Sequence, residues 1–96
     1  MILNFGDRGT EDLFHGNDTK AARRIPRSIW KAALVRLDAL DGASMLQDLK
    51  FPPGNRLEAL KGKLSGFHSI RINDQFRIIF RWFEGNARDL QITDYH

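Results

Sequence analysis

The sequence predicts an α+β fold in which an N-terminal strand and a two-helix hairpin pack on one face of a mainly antiparallel sheet of four to five strands. Three observations support this class. An apolar stripe recurs at helical spacing in the first half, strand-like alternation fills the second half, and turn-forming residues separate the alternating runs. With 96 residues, the chain is expected to form one domain, residues 1–96, with one modest core.

The first predicted elements are short. Residues 2–5 are mostly apolar and are expected to form a first strand. Thr10 is the expected N-cap of a first helix, and Gly16 is expected to end that helix. Residues 17–24 are mostly polar and are therefore expected to be a linker.

A second, longer helix is predicted from the spacing of its apolar residues. It begins at Pro26, which a first helical turn accepts, and it ends at Asp41-Gly42. Its buried stripe is expected to contain Ile29, Ala33, Leu37 and Leu40. Residues 44–49 are expected to add a helical turn, and the Pro-Pro-Gly sequence at 52–54 stops any helix there.

The second half of the chain predicts four sequential strands. They are expected at residues 56–61, 67–72, 76–83 and 87–94. The turns between them, at residues 62–66, 73–75 and 84–86, are rich in residues that tolerate tight backbone geometry. A meander with the helices on one face is the compact arrangement of these elements.

The register of this sheet depends on turn length. Two three-residue turns would place Arg71 opposite Arg77 and Phe80 opposite Leu90. They would also gather one apolar face, which consists of Ile70, Ile72, Phe76, Ile78, Phe80, Leu90 and Ile92. Two-residue turns would place Arg77 opposite Asp94 but would divide the apolar set, so the longer turns are favoured.

The opposite, open face is then expected to carry Arg71, Arg77 and Arg81. Strand alternation puts Tyr95 on this face as well, but it puts Asp94 and His96 on the core face. A bulge or bend near Thr93 is therefore needed if the three C-terminal residues are to meet.

The composition favours a polyanionic partner and excludes several chemistries. There are 15 Lys and Arg residues against 12 Asp and Glu, so the net charge is +3 and the pI is about 9.7. The absence of Cys excludes disulfides, thiolate catalysis and Cys-type zinc sites, and three scattered His residues predict no metal site. No apolar run approaches the roughly 18 residues of a membrane span, and the N-terminus does not resemble a signal peptide. A bacterial cytoplasmic protein is expected.

The arginines and the C-terminus suggest chemistry on an RNA phosphodiester. Two adjacent arginines repel each other unless an anion lies between them, and guanidinium groups bind phosphate in a bidentate manner. Lys61 would add a mobile charge, His96 is the best proton-transfer group, and Asp94 could act as a base or orient His96. Phosphate contacts are expected from Arg71, Lys63, Asn73 and Arg81, and base stacking from Phe67, Phe76 or Tyr95. No cofactor is required.

Simpler interpretations stay open at this point. An arginine pair on a sheet face is more often a solvated surface than a site, and a C-terminal His is most often inert. Glu58 and Asp94 could form a carboxylate pair, but their spacing does not require it.

Three segments resemble a known family. Leu60-Lys61-Gly62, residues 69–82 and Asp94-Tyr95-His96 are similar to the HigB branch of the RelE/ParE toxins of bacterial type II toxin-antitoxin systems. Residues 52–62 also resemble a GraT-like subgroup of HigB. The resemblance is strong over roughly the second half of the chain, whereas the helical half matches in length and layout only.

The resemblance implies a RelE/ParE-like fold and a ribosome-dependent mRNA endoribonuclease that needs no metal. Such a toxin enters the ribosomal A site and is neutralised by a HigA-like helix-turn-helix antitoxin, and it meets operator DNA only through that complex. No membrane is involved. The catalytic residues carried over are Lys61, Arg77, Asp94, Tyr95 and His96. Arg71 is a supporting residue, and Glu58 stands where some relatives carry a histidine.

Two other functions remain as alternatives. A ParE-like inhibitor of DNA gyrase would share the fold but would lack the catalytic cluster. A non-catalytic RNA-binding module would use the same basic face without cleaving its ligand.

Overall fold

The computed structural model describes residues 1–94, and it confirms the α+β class. Two α-helices, α1 and α2, precede four strands, β1 to β4. Their bounds are Arg8–Phe14 for α1, Trp30–Gly42 for α2, Glu58–Ala59 for β1, His68–Arg71 for β2, Phe76–Phe83 for β3 and Asn86–Asp94 for β4. Short 3-10 helices occupy Ala22–Arg24, Arg27–Ile29, Leu46–Lys50, Pro53–Asn55 and Gly62–Leu64.

Helix α1 begins one turn earlier than predicted. Its N-cap is Asp7, whose carboxylate accepts a hydrogen bond from the backbone N–H of Thr10 at 3.3 Å. The prediction that Thr10 is the N-cap is therefore wrong. Thr10 is buried within the helix, and its hydroxyl oxygen accepts the backbone N–H of Ile92 at 3.0 Å. The predicted end is confirmed, because Gly16 adopts φ 77° and its N–H donates to Leu13.

The polar segment between the two helices is folded onto the core, so the linker prediction is wrong. The Thr19 hydroxyl donates to the Asp12 carboxylate at 2.6 Å and accepts the N–H of Ala22 at 3.1 Å. Ala22 is fully buried. The polar groups of this segment form hydrogen bonds with one another. A linker assignment that rests on composition does not take such hydrogen bonds into account.

Helix α2 supplies the main helical contribution to the core. Pro26 precedes a single 3-10 turn, after which the α-helix runs to Gly42 as predicted. The predicted stripe is confirmed, since all four of its members are buried: Ile29, Ala33, Leu37 and Leu40. The turn expected at residues 44–49 is also present as the 3-10 helix Leu46–Lys50.

The strands form an antiparallel meander in the order β1-β2-β3-β4, as predicted. Strand β1 is much shorter than expected, with two residues in place of 56–61. Residues 2–5 do not form a strand. Instead, Ile2 and Phe5 make single parallel bridges to Ala87 and Leu90 of β4.

A tight turn and a bulge together set the register of β3 and β4. The turn has two residues, Glu84 and Gly85, both with positive φ, whereas three were predicted. One extra residue then enters β4 near Asp89, which also has a positive φ of 54°. The extra residue in β4 compensates for the shorter turn, so Ile78 pairs with Ile92 as predicted. The expected pairing of Phe80 with Leu90 is replaced by this irregularity.

The predicted apolar face of the sheet is confirmed. The residues that cover it are buried or packed against the core: Ile70, Ile72, Phe76, Ile78, Phe80, Leu90 and Ile92. The helices cover this face, and every second side chain along each strand points to the opposite face of the sheet. No helix within residues 1–94 is long and apolar enough to cross a membrane.

Candidate functional site

A cavity of about 240 Å³ lies where β1, β2 and β3 meet the turn between β2 and β3. It contains both of the arginines that the sequence placed side by side. Its lining consists of Arg56, Glu58, Arg71, Asn73, Asp74 and Arg77. We call it the arginine cavity.

Arg71 and Arg77 are direct partners across β2 and β3, as the register argument predicted. Each guanidinium has a carboxylate partner of its own. Arg77 Nη1 donates to Glu58 Oε2 at 3.3 Å, and Arg71 Nη2 forms an ion pair with the Asp74 carboxylate. The repulsion between the two cations is therefore offset within the protein itself.

Arg77 is less accessible than an open sheet face would allow. Its exposed fraction is 6%, so Arg77 is buried although it lies on the face of the sheet that the sequence predicted. Its Nη2 donates to the backbone carbonyl of Arg56 at 2.9 Å. Arg56 adopts a left-handed φ of 46°, which is uncommon for a residue with a side chain, in the turn that brings its carbonyl to Arg77. The guanidinium is thus held in a defined orientation.

Asn73 lines the arginine cavity but also builds the turn beside it. Its side-chain oxygen accepts the backbone N–H groups of Gln75 at 2.9 Å and of Phe76 at 2.7 Å. Phe76 packs against the core, so it does not provide the base-stacking surface that the sequence suggested.

Asp94 lies at the edge of the sheet, outside the lining of the arginine cavity. It pairs with Phe76 of β3, and its carboxylate accepts the Gln75 side-chain amide at 2.9 Å. The bulge expected near Thr93 is absent from the described strand, because the register runs regularly to residue 94. The predictions for Tyr95 and His96 concern positions outside the described residues.

The other predicted site residues lie apart from this cavity. Lys61 follows β1, Lys63 belongs to the 3-10 helix Gly62–Leu64, and both are exposed. Arg81 lies four positions beyond Arg77 on β3 and lines a different cavity. The structure therefore groups Arg71, Asn73 and Arg77, and of the remaining cations Arg81 shares their face of the sheet by strand alternation.

Glu58 is the main site residue that sequence reasoning underestimated. The sequence suggests a carboxylate pair with Asp94 and, through the resemblance, a position where some relatives carry a histidine, whereas the Glu58 carboxylate contacts Arg77. Glu58 pairs with Ser69 in the β1–β2 register, which puts it on the face that carries Arg71. The alternation of side chains along the strands could have placed Glu58 on this face. The length of the β1–β2 connection is not fixed by the sequence, however, so the register between β1 and β2 stayed undetermined. Among residues 1–94, no group of three or more His, Asp or Glu side chains is arranged to hold a metal ion.

Comparison with known proteins relates the chain to one family. A family model described as "RelE-like toxin of type II toxin-antitoxin system HigB" matches residues 3–96. The chain is 46% identical over 87 residues to Toxin HigB-1 of Vibrio cholerae, covering 91% of this chain and 90% of that protein. It is 31% identical over 96 residues to Endoribonuclease HigB of Proteus vulgaris, covering all of both chains.

Solved structures show the same fold at lower sequence identity. The YoeB dimer of Staphylococcus aureus aligns with a TM-score of 0.60 and 21% identity, covering 100% of this chain and 97% of that one. A chain of the YoeB-YefM complex from the same organism aligns with a TM-score of 0.59 and 15% identity, covering 100% and 98%.

Proposed function

The chain belongs to the HigB family of RelE-like toxins of type II toxin-antitoxin systems, and from that premise we propose that it is an endoribonuclease that cleaves mRNA on the ribosome. The family assignment confirms the resemblance predicted from residues 60–62, 69–82 and 94–96. The arginine cavity is the single observation that supports the chemistry best, because it brings the guanidinium groups of Arg71 and Arg77 together beside the carboxylate of Glu58 and that of Asp74.

The proposed reaction needs no group beyond the protein and the RNA. The 2′-OH of one nucleotide attacks the adjacent phosphorus and loses its proton to a base, and a new P–O2′ bond forms. The P–O5′ bond breaks, and an acid protonates the leaving 5′ oxygen. The products are a 2′,3′-cyclic phosphate and a free 5′-OH, so atoms and charges balance.

Arg77 is suited to stabilise the negative charge that develops on phosphorus. Its guanidinium is held by Glu58 and by the Arg56 carbonyl, so little reorganisation is needed when phosphate arrives. Arg71 is partly exposed beside it and can bind a second phosphate oxygen. Lys61, on the connection that follows β1, supplies a mobile charge for the same phosphate.

Two groups can take the proton from the 2′-OH. Glu58 is a half-exposed carboxylate in the arginine cavity, and His96 carries an imidazole, a group that titrates near neutrality. We assign the base role to Glu58 because it contacts Arg77, and the acid role to the C-terminal cluster of Asp94, Tyr95 and His96. Lys63, Asn73 and Arg81 then bind phosphates along the RNA.

The proposed setting is the bacterial cytoplasm, where the toxin enters the ribosomal A site. A toxin of this class is paired with an antitoxin, which we propose to be HigA-like with a helix-turn-helix domain. Contact with operator DNA would then be indirect, through the antitoxin. No membrane partner and no metal are part of the proposal.

Mapping mRNA 5′ ends after induced expression tests the activity. Cells that express the chain should accumulate new mRNA ends within translated regions, and His96→Ala should abolish both these ends and growth arrest. Arg8→Gln removes an exposed charge on α1 and serves as the control that retains activity. Growth arrest with intact mRNA and damaged DNA would instead indicate a gyrase inhibitor. RNA binding with no loss of function in His96→Ala would indicate a non-catalytic module.

A further inference from the structure

A second group of arginines and aromatic rings lies at the far end of the open face of the sheet, the face that carries Arg71, Arg77 and Arg81. It surrounds a cavity of about 380 Å³, a size typical of small-ligand pockets. The cavity lining is Gly66, Arg81, Trp82, Phe83, Arg88 and Asp89. We call this the distal site. It shares no lining residue with the arginine cavity.

Each arginine of the distal site lies over an aromatic ring. The guanidinium carbon of Arg81 is 4.5 Å from the ring centroid of Phe67, and that of Arg88 is 5.9 Å from the ring centroid of Phe83. Phe83 is 58% exposed, although it is a large apolar side chain. Exposed rings next to guanidinium planes are the surfaces on which unpaired bases stack.

The distal site also has uncompensated positive charge. Arg81 and Arg88 are direct partners across β3 and β4, a like-charge pairing that disfavours the sheet. One carboxylate, Asp89, lies 3.6 Å from Arg81. Asn4 holds that carboxylate in place, since its side-chain amide donates to Asp89 at 2.8 Å and accepts the Asp89 N–H at 3.0 Å. A phosphate between the two arginines would relieve the remaining repulsion.

We propose that the distal site binds a single-stranded segment of the RNA substrate outside the scissile bond. One base of this segment stacks on Phe83, and Arg81 and Arg88 hold the phosphate of the same nucleotide. This proposal rests on the proposed function. Arg81 and Arg77 share one face of β3 and lie four residues apart, which is about 13 Å. A strand that enters the arginine cavity can therefore continue to the distal site.

The experiment measures binding of fluorescent, 2′-O-methylated single-stranded RNA to the purified full chain. Methylation removes the nucleophile, so binding is seen without cleavage. The wild type is compared with Arg81→Gln/Arg88→Gln and with Phe83→Leu, using a dinucleotide and a strand of about ten nucleotides. The matched control, Arg8→Gln/Lys31→Gln, also loses two positive charges, but on the helices.

The double arginine variant should bind the longer strand at least tenfold more weakly, while its dinucleotide affinity is unchanged. A plot of log K against log salt concentration has a negative slope, and this slope should become shallower by about 0.7 for each lost phosphate contact. Phe83→Leu should weaken binding of the longer strand by about fivefold or more, with the slope unchanged.

The proposal is overturned if the control variant loses as much affinity as the distal variant, or if the dinucleotide loses as much as the longer strand. It is also overturned if RNA binding is unaffected while the variant binds its antitoxin more weakly, because the surface would then belong to the antitoxin. These results are independent of the cleavage assay. A wild-type chain that binds RNA in this way but leaves mRNA intact would contradict the proposed function and not the distal site.

Discussion

Arg77 and Glu58, 19 positions apart in the chain, form an ion pair of 3.3 Å in which the arginine side chain is 8% exposed and the glutamate side chain is 50% exposed. The pair is therefore asymmetric. Solvent can reach the carboxylate, whereas the guanidinium depends on its protein partners. In the proposed reaction, Glu58 would exchange its contact with Arg77 for one with the 2′-OH, while the Arg56 carbonyl keeps its hydrogen bond to Arg77.

Glu58→Gln should lower ribosome-dependent mRNA cleavage by about 10² to 10⁴-fold, since the amide keeps a hydrogen-bond acceptor for Arg77 but cannot take a proton. Single-turnover cleavage on programmed ribosomes measures this effect. Glu11→Gln, an exposed change on α1, is the control and should retain full activity. If Glu58→Gln cleaves like the wild type, Glu58 is not the base.

Arg77→Lys should reduce cleavage by about 10² to 10³-fold with the charge retained, because one ammonium group cannot reproduce the fixed contacts to Glu58 and the Arg56 carbonyl. The single-turnover rate is the measurement. Arg71→Lys should lose less activity, since Arg71 is partly exposed. Equal losses in the two variants would contradict a special role for Arg77.

Asp74→Asn should raise the affinity for RNA several-fold, because it releases the Arg71 guanidinium from its ion pair. The unfolding free energy should stay within about 0.5 kcal/mol of the wild type, since Asp74 is 94% exposed. Fluorescence anisotropy with 2′-O-methylated RNA gives the affinity. Asp38→Asn removes the same charge from α2. A matching gain in that variant would mean that only the net charge matters.

Thr10→Val should lower the unfolding free energy by about 1–3 kcal/mol, because it leaves the buried N–H of Ile92 without its hydroxyl acceptor. Urea unfolding measures the change. Thr10→Ser keeps the hydroxyl and should cost less, at about 0.8 kcal/mol for the lost methyl group. If Ser costs as much as Val, packing and not the hydrogen bond explains the loss.

Asp18 should titrate below its ordinary value of 3.8. Its hydrogen bond to the Arg27 side chain is the main cause of the lowered pKa, and Arg23 contributes in the same direction. The lowered folded-state pKa means that its contribution to stability is present above the unfolded value and is lost as the pH falls through the folded value. Arg27→Gln should raise this pKa in an NMR titration, whereas Arg24→Gln should not.

The helical part of the fold was predictable where the apolar residues recur at helical spacing, as in α2. The stripe from Ile29 to Leu40 has one interpretation at helical spacing, and all of its members are buried. The start of α1 was not predictable in this way, because Asp7 and Thr10 are both good N-cap residues. The distinction depends on the contact of Thr10 with Ile92, which lies 82 positions away.

The register of β3 against β4 was predicted correctly beyond the bulge, although the predicted turn was one residue too long. A two-residue turn with one bulged residue gives the same parity as a three-residue turn, so the apolar pattern beyond Asp89 cannot distinguish them. The pairing of Arg71 with Arg77 was predictable, because it follows from the turn at residues 73–75 between β2 and β3. The contact of Glu58 with Arg77 was not predictable, because a two-residue β1 leaves too little pattern to fix its register.

The bridges of Ile2 to Ala87 and Phe5 to Leu90 join the first residues of the chain to its last strand, and Thr10 reinforces this closure through Ile92. During synthesis, Ile2, Phe5 and Thr10 therefore lack their partners in β4 until that strand has emerged from the ribosome, although α1 can already contact the 3-10 helix Ala22–Arg24 and α2. The core cannot close on a nascent chain that lacks β4. The molecule is consequently expected to complete its core only after β4 has been synthesised.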